Sequence, residues 1–258
     1  MNKLSVVILT KNGMPTIAKT LKSISWADEI LVVDSGSTDE TLNECKKYNN
    51  CKIIKTYWRG FGKQHHFAVN SCKNDTIFLV DQDETVTNQL KKKLESLLIQ
   101  NELTSAYRIK RNTFYIFAMI KHCWSSDYPV RLFNRKYFNF CNISVPHEYV
   151  EGKGKRIKIN QLILHYSFNS FSSHIKKMDL YTSNGAKHLF TNGNKSSIIK
   201  AVAKGIFMFT KLYILRLGFL DGKLGFILAI NSAYYSYLKY LKLWELIKKE
   251  NNGIYNKT

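Results

Sequence analysis

Apolar and polar positions alternate in two different periods along the first hundred residues. Leu4 to Leu9 is an apolar run broken only by Ser5, the pattern of a strand buried on both faces. Glu29 to Val33, Cys51 to Thr56 and Thr76 to Val80 read the same way. Between them, Thr16 to Ile24 has helical spacing behind Pro15, which suits a helix start. Thr38 to Tyr48 predicts a second helix, with Ser37 or Thr38 as its cap and Asp39 and Glu40 favourable in its first turn. Gly62 to Cys72 and the amphipathic stretch Val86 to Ile99 complete the series. Repeated strand–helix units predict an α/β fold: a Rossmann-like, mostly parallel sheet flanked by helices on both faces.

The pattern changes near Thr104. Short strands are expected at Ser105 to Lys110, Val130 to Phe133 and Leu162 to Tyr166, separated by loops rich in His, Trp and Tyr. From Phe171 the chain reads as helices. This divides it into a sheet domain over 1–168, with halves 1–103 and 104–168, and a helical C-terminal extension over 169–258. The longest uncharged apolar stretch, Leu224 to Leu238, is short for a membrane span and carries Asn231, Ser232 and Ser236.

Charge narrows the partners. The formal net charge of +20 calls for something anionic: nucleic acid, a phosphorylated substrate or an acidic membrane surface. A Lys- and Asn-rich compositional bias is the plainer account of the same excess. In the helical extension Lys200, Lys204, Lys211 and Arg216 are interleaved with Ile206, Phe207, Met208, Phe209, Tyr213 and Leu217. Basic charge with aromatics on helices suits a membrane interface, and it equally suits helices packed on a sheet with lysines facing water. The 5 cysteines are odd in number and form no C-x-x-C, which predicts neither disulfides nor zinc and fits a reducing cytoplasm. The start, Met-Asn-Lys followed by a strand, shows no signal-peptide pattern.

Candidate chemistry collects at the carboxyl ends of the predicted parallel strands, where open α/β sheets bind ligands. Thr10-Lys11-Asn12 follows the first strand, Asp34-Ser35 the second, and Asp81-Gln82-Asp83-Glu84 the fourth. If the chain stays extended, Asp81 and Asp83 point to one side and Gln82 to the other. Two such carboxylates suit Mg2+ or Mn2+ bridging phosphates, and solvated acids in a turn are the ordinary alternative. Asp34 is left free to bond a nucleobase or ribose while Ser37 or Thr38 caps the helix. His65 and His66 are adjacent and cannot share a helix face, so a surface role is expected for both.

Leu4 to Asn12, Glu29 to Thr41 and Phe78 to Glu84 together resemble the signature of family-2 glycosyltransferases, which have the GT-A fold. The chain is more narrowly similar to bacterial lipopolysaccharide-core glycosyltransferases of the β-1,4-glucosyltransferase type. That match rests on Trp58-Arg59-Gly60-Phe61-Gly62-Lys63-Gln64, on Arg131-Leu132-Phe133 with Val145-Pro146-His147-Glu148, and on Gly218-Phe219-Leu220-Asp221-Gly222 with Gly225-Phe226.

The resemblance implies metal-dependent, inverting transfer of a hexose from a nucleotide sugar, UDP-glucose for this subtype, to a phosphorylated lipopolysaccharide core. It implies that Asp34, Thr10 and Asn12 bind the nucleoside, that Asp81 and Asp83 meet ribose, metal and diphosphate, and that Lys63 and Gln64 approach the donor phosphates. The usual Asp-Ala-Asp reads Asp81-Gln82-Asp83 here, a change expected to matter little. The double Asp common at the end of the second strand reads Asp34-Ser35. Inversion needs a base for the acceptor hydroxyl. Glu148 is the first candidate and Asp127 the second, with His147 orienting the base or binding phosphate. His147-Glu148 can equally be a structural pair. Arg131, on a strand, is placed to meet an acceptor phosphate or to form an ion pair. Such an enzyme is expected in the cytoplasm, peripheral on the inner membrane and without nucleic acid. A metal-dependent nucleotidyltransferase is the competing enzyme class, but Thr10-Lys11-Asn12-Gly13-Met14-Pro15 is not a Gly-rich phosphate loop.

Overall fold

The computed structural model describes residues 2–99, 103–124, 127–140 and 150–253. The chain forms two compact units. The first comprises Met1–Asn112 and Asp127–Tyr166, the second Thr113–Ser126 and Ser167–Thr258.

The first unit is built on strands β1 (Leu4–Thr10), β2 (Glu29–Asp34), β3 (Cys51–Lys55) and β4 (Thr76–Leu79), which lie parallel in the order β3-β2-β1-β4. Helices α1 (Thr16–Ile24), α2 (Thr41–Cys45) and α3 (Phe61–Asn70) connect them. The period-2 pattern of β1 explains why both faces are covered. Leu4, Val6 and Ile8 pack with Ile17, Leu21 and Ile24 of α1 on one side, and Val7 packs with Ala68 and Val69 of α3 on the other. The short strand β5 (Glu84–Val86) then leads to α4 (Asn88–Leu98), which lays Leu90, Leu94, Leu97 and Leu98 on the α1 face. Thr87 caps α4 by accepting from Leu90 N, so this helix starts two residues later than its spacing predicts.

Beyond α4 the sheet turns antiparallel. The long strand β6 (Ala106–Tyr115) carries the chain into the second unit, where β7 (Ala118–Met119) folds back on it. Strand β8 (Val130–Asn134) returns between β4 and β6, antiparallel to both. Strands β9 (Phe138–Phe140) and β10 (Val150–Gly152) make a separate ribbon. The long β11 (Arg156–Phe168) follows and pairs antiparallel with β5. The full order is β3-β2-β1-β4-β8-β6-β11-β5.

The second unit holds α5 (Phe171–Thr191), α6 (Ile198–Phe209) and α7 (Gly222–Asn251), with a π-helical turn at Thr210–Leu215 and a 3-10 turn at Gly218–Asp221. Ser170 and Ser173 form a reciprocal capping box at the start of α5. The excursion 113–126 belongs to this core through Tyr115, Ile120 and Cys123, packed with Leu212, Leu228 and Ala229. No helix among the described residues is long and apolar enough to cross a membrane.

The Gly218-to-Phe226 motif is structural. Gly225 lies so close to the Gly218 carbonyl that an added Cβ would sit 1.9 Å from its oxygen. Asp221 accepts backbone N–H bonds from Lys121 (3.0 Å), His122 (2.9 Å) and Cys123 (2.7 Å) and so pins the excursion to the start of α7. Asp221→Ala should cost about 2 kcal/mol, from bonds lost by partly buried donors. Chemical denaturation should show this as a lower midpoint, with nucleotide binding retained.

Candidate active site

Parallel pairing places the ends of β1, β2 and β4 side by side, with Thr10 in register with Asp34. The loops that follow are laced together. The buried Asp34 carboxylate accepts from Gly36 N (3.1 Å), Ser37 N (3.1 Å) and Ser37 Oγ (2.5 Å), with Gly36 at φ +93° allowing the turn. Asp34 is therefore not left free, as its sequence position predicts. Its own turn uses both oxygens. Nor do Ser37 and Thr38 cap α2. Asn12 N donates to Ser37 Oγ (2.9 Å) and Thr38 N donates to Asn12 Oδ1 (2.8 Å). Gly13 N donates to Thr41 Oγ1 (2.8 Å) and Met14 N to Asp39 Oδ2 (3.1 Å). The polar residues expected to start a longer helix thus cross-link two loops, and α2 begins only at Thr41.

Gln82 also departs from expectation. Instead of pointing away, its Oε1 accepts from Thr10 Oγ1 (2.6 Å) and Lys11 N (3.1 Å), while its carbonyl accepts from Thr20 Oγ1 (3.0 Å). Strand β4 has ended at Leu79 and Glu84 N donates to Asp81 O (3.0 Å), so Asp81-Gln82-Asp83 is a turn and strand parity no longer applies. Gln82 ties the fourth-strand loop to the first.

The acids of that turn have separate environments. Arg131 on β8 donates to Asp81 Oδ2 (2.7 Å) and Glu84 Oε1 (2.5 Å). Arg111 on β6 reaches Glu84 Oε1 (3.2 Å) and holds both oxygens of Asp127 (3.0 and 2.6 Å). Burial opposes ionisation of Asp81, but Arg131 outweighs it and holds the carboxyl well below the usual range. Burial pushes Glu84 up, and the Asp81 charge adds to that against the pull of Arg131. Arg131 is itself buried and committed to these acids, so an ion pair replaces the expected acceptor contact. Asp127 is bound bidentately by Arg111, and its side chain remains more than half exposed. Glu148 and His147 lie outside the described residues.

Asp83 faces a residue that carries no local motif. His165 of β11 brings Nε2 to 3.5 Å from Asp83 Oδ1, and Tyr166 N donates to Asp83 O (2.8 Å). The β5–β11 register sets His165 opposite Glu84, one residue past Asp83. A carboxylate oxygen and an imidazole nitrogen thus lie together, each about one-fifth exposed, while no group of three or more such side chains able to hold a metal ion forms among the described residues. Asp81 differs. Its carboxylate is ion-paired, with an exposed edge.

On α3, Gln64 is buried near Ser35, with Nε2 3.4 Å from Ser35 Oγ and Oε1 unpartnered among the described residues. Lys63 is exposed and lines a separate depression with Tyr57, Arg59 and His66. The adjacent pair therefore does not converge. Both histidines of α3 are more enclosed than a surface role implies. His65 is buried and stacks on Phe140 at 4.6 Å, and His66 Nδ1 lies 2.8 Å from Phe140 O.

The family model for glycosyl transferase family 2 matches residues 5–161. An uncharacterised glycosyltransferase of Rickettsia typhi is 32% identical over 272 residues, covering 98% of this chain and 91% of its own length. The lipopolysaccharide core biosynthesis glycosyltransferase LpsC of Rhizobium meliloti is 25% identical, over 94% of this chain and 92% of its own. Among solved structures, S. aureus TarS 1–349 in complex with UDP-GlcNAc aligns with a TM-score of 0.50 at 17% identity, over 99% of this chain and 93% of that one. The fold is that of a GT-A glycosyltransferase. The chain belongs to glycosyl transferase family 2.

Arg131→Met leaves Glu84 buried with only Arg111 to balance it, and should cost about 3 kcal/mol, the low end for a broken buried pair because Asp81 can reach water. The sign with pH follows from Asp81. Its folded value lies below the ordinary 3.8, so its contribution is present above that value and is lost as pH falls through the folded one. Acid titration of stability should therefore be flatter in Arg131→Met than in the wild type. Gln82→Ala should cost about 1 kcal/mol and weaken nucleotide binding, measurable by calorimetry.

Proposed function

We propose that this enzyme transfers a hexose, glucose from UDP-glucose, to a lipopolysaccharide inner-core acceptor with inversion at the anomeric carbon. The observation that carries the donor half is the meeting of Asp83 with His165 beside the laced ends of β1, β2 and β4. The acceptor half is supported by similarity to LpsC over nearly the whole of both chains.

In this reading the cross-linked loops of Thr10, Asn12 and Asp34 shape the nucleoside pocket, mostly through backbone they hold still. The exposed edge of Asp81 meets the ribose. Gln64 faces the pocket with its unpaired Oε1, and Lys63, which lies in a separate depression, takes no part in holding the donor. Asp83 and His165 would hold the divalent cation, which when bound offsets charge on the departing diphosphate. Glu148 takes the proton of the acceptor hydroxyl as it attacks the anomeric carbon, with His147 beside it and Asp127 as the second candidate base. The carbon–oxygen bond to the diphosphate breaks on the opposite face, which gives inversion.

Asp83→Ala and His165→Ala should each lower turnover by roughly 100-fold and abolish the thermal shift produced by Mn2+ with UDP, while Mn2+-independent stability stays near wild type. If wild-type enzyme shows no stabilisation by UDP with Mn2+ or Mg2+, the donor reading fails. A screen of nucleotide sugars against truncated-core acceptors, read by NMR of the product anomer, tests the rest. A retained configuration would overturn inversion, and transfer only to another surface glycan would overturn the acceptor.

A further inference from the structure

Helix α6 is packed inside out. Its buried positions are small: Ala201 and Gly205. A Cβ on Gly205 would lie 3.2 Å from Tyr237 Cβ and 3.3 Å from Ala233 O, so this face sits tightly on α7. The large side chains turn outward instead. Ile199 is 82% exposed and Ile206 64% exposed, with Phe207 and Val202 also open. The turns that follow continue the surface, with Leu215 70% exposed and Leu220 57%. Folding of this unit does not account for such a run, since a surface helix ordinarily buries its large apolar residues and shows its small or polar ones.

Cations predominate along this segment. Between residues 195 and 226 the basic residues are Lys195, Lys200, Lys204, Lys211, Arg216 and Lys223, and the sole acid is Asp221. Asp221 turns its carboxylate inward to the N–H groups of 121–123. Lys200 and Lys204 lie over the Tyr240 ring, and Lys211, Arg216 and Lys223 remain on the same segment as the exposed apolar residues. Large exposed apolar groups on a basic segment match an anionic bilayer, with side chains among the acyl chains and charges at headgroup level. A second copy of the chain would oppose cation to cation, which disfavours self-association through this face. We propose that residues 198–220 dock the enzyme on the surface of an anionic lipid bilayer. This holds independently of the donor chemistry.

Flotation of the full-length chain with phosphatidylglycerol-containing vesicles, and with phosphatidylcholine alone, tests the proposal. Wild type should bind the anionic vesicles at least about tenfold more tightly than the neutral ones. Ile199→Ser/Ile206→Ser/Leu215→Ser should lose about tenfold or more, and Lys211→Glu/Arg216→Glu should lose the preference for anionic lipid. Circular dichroism and the thermal shift with Mn2+ and UDP should be unchanged in both variants, which separates failure here from failure of the donor reading. The proposal is overturned if wild type stays unbound, or if both variants bind as it does. It is also overturned if sedimentation shows a wild-type dimer that the triple serine variant dissolves without any vesicle binding.

Discussion

Arg131 is the contact on which the site depends. It stands on β8, the first antiparallel strand beside the parallel set, and grips Asp81 and Glu84 where the chain leaves β4. Glu84 is fully buried, which is tolerable for a carboxylate only with cations against it. Arg111 supplies the second one from β6. The two antiparallel strands thus do more than widen the sheet. They fix the acid-bearing turn and leave Asp83 toward β11, where His165 waits. The neighbouring acids differ by position: Glu84 is buried against two cations, Asp81 is paired with Arg131 but keeps an exposed edge, and Asp83 lies beside His165.

The parallel half of the fold was legible because two-face burial writes itself into consecutive apolar residues. Leu4 to Leu9 and Glu29 to Val33 needed no tertiary information. Convergence of the three loops was legible for the same reason, since parallel strands must present their carboxyl ends together. The side-chain roles were less so. Strand parity assigned Gln82 to the far side, and parity lapses once β4 ends. Asp34 has the composition of a ligand-binding acid and of a turn-forming acid alike, and only the turn geometry of Gly36 and Ser37 separates them. His165 was invisible because nothing local marks it. Its meaning comes from antiparallel pairing with β5, some eighty residues away in the chain.

Several motif residues carry their message in packing rather than chemistry. Gly218, Asp221 and Gly225 look like a functional signature, and their geometry accounts for them through a close backbone approach and three backbone bonds. Substitution of such a residue lowers the stability of the second unit, an effect easily mistaken for loss of a ligand contact.

The basic excess is unevenly distributed, and the structure gives a reason. Residues 167–258 hold 14 Lys and Arg against 4 Asp and Glu. Compositional bias toward lysine raises the count of cations everywhere, but it does not remove acids from one face or turn isoleucines outward on the same helix. In the first unit, acids are spent on internal pairs such as Asp81 with Arg131, Asp127 with Arg111 and Asp75 with Arg135. In the second, Lys242 is the counterexample that tests the idea: its ammonium is occupied by Asp179, Thr182 and Ser183 between α5 and α7. Lys200 and Lys204 of α6 also lie over the Tyr240 ring of α7, so they serve the packing of these helices as well. It is the large apolar side chains left open on α6 and the turns after it that call for a partner outside the chain.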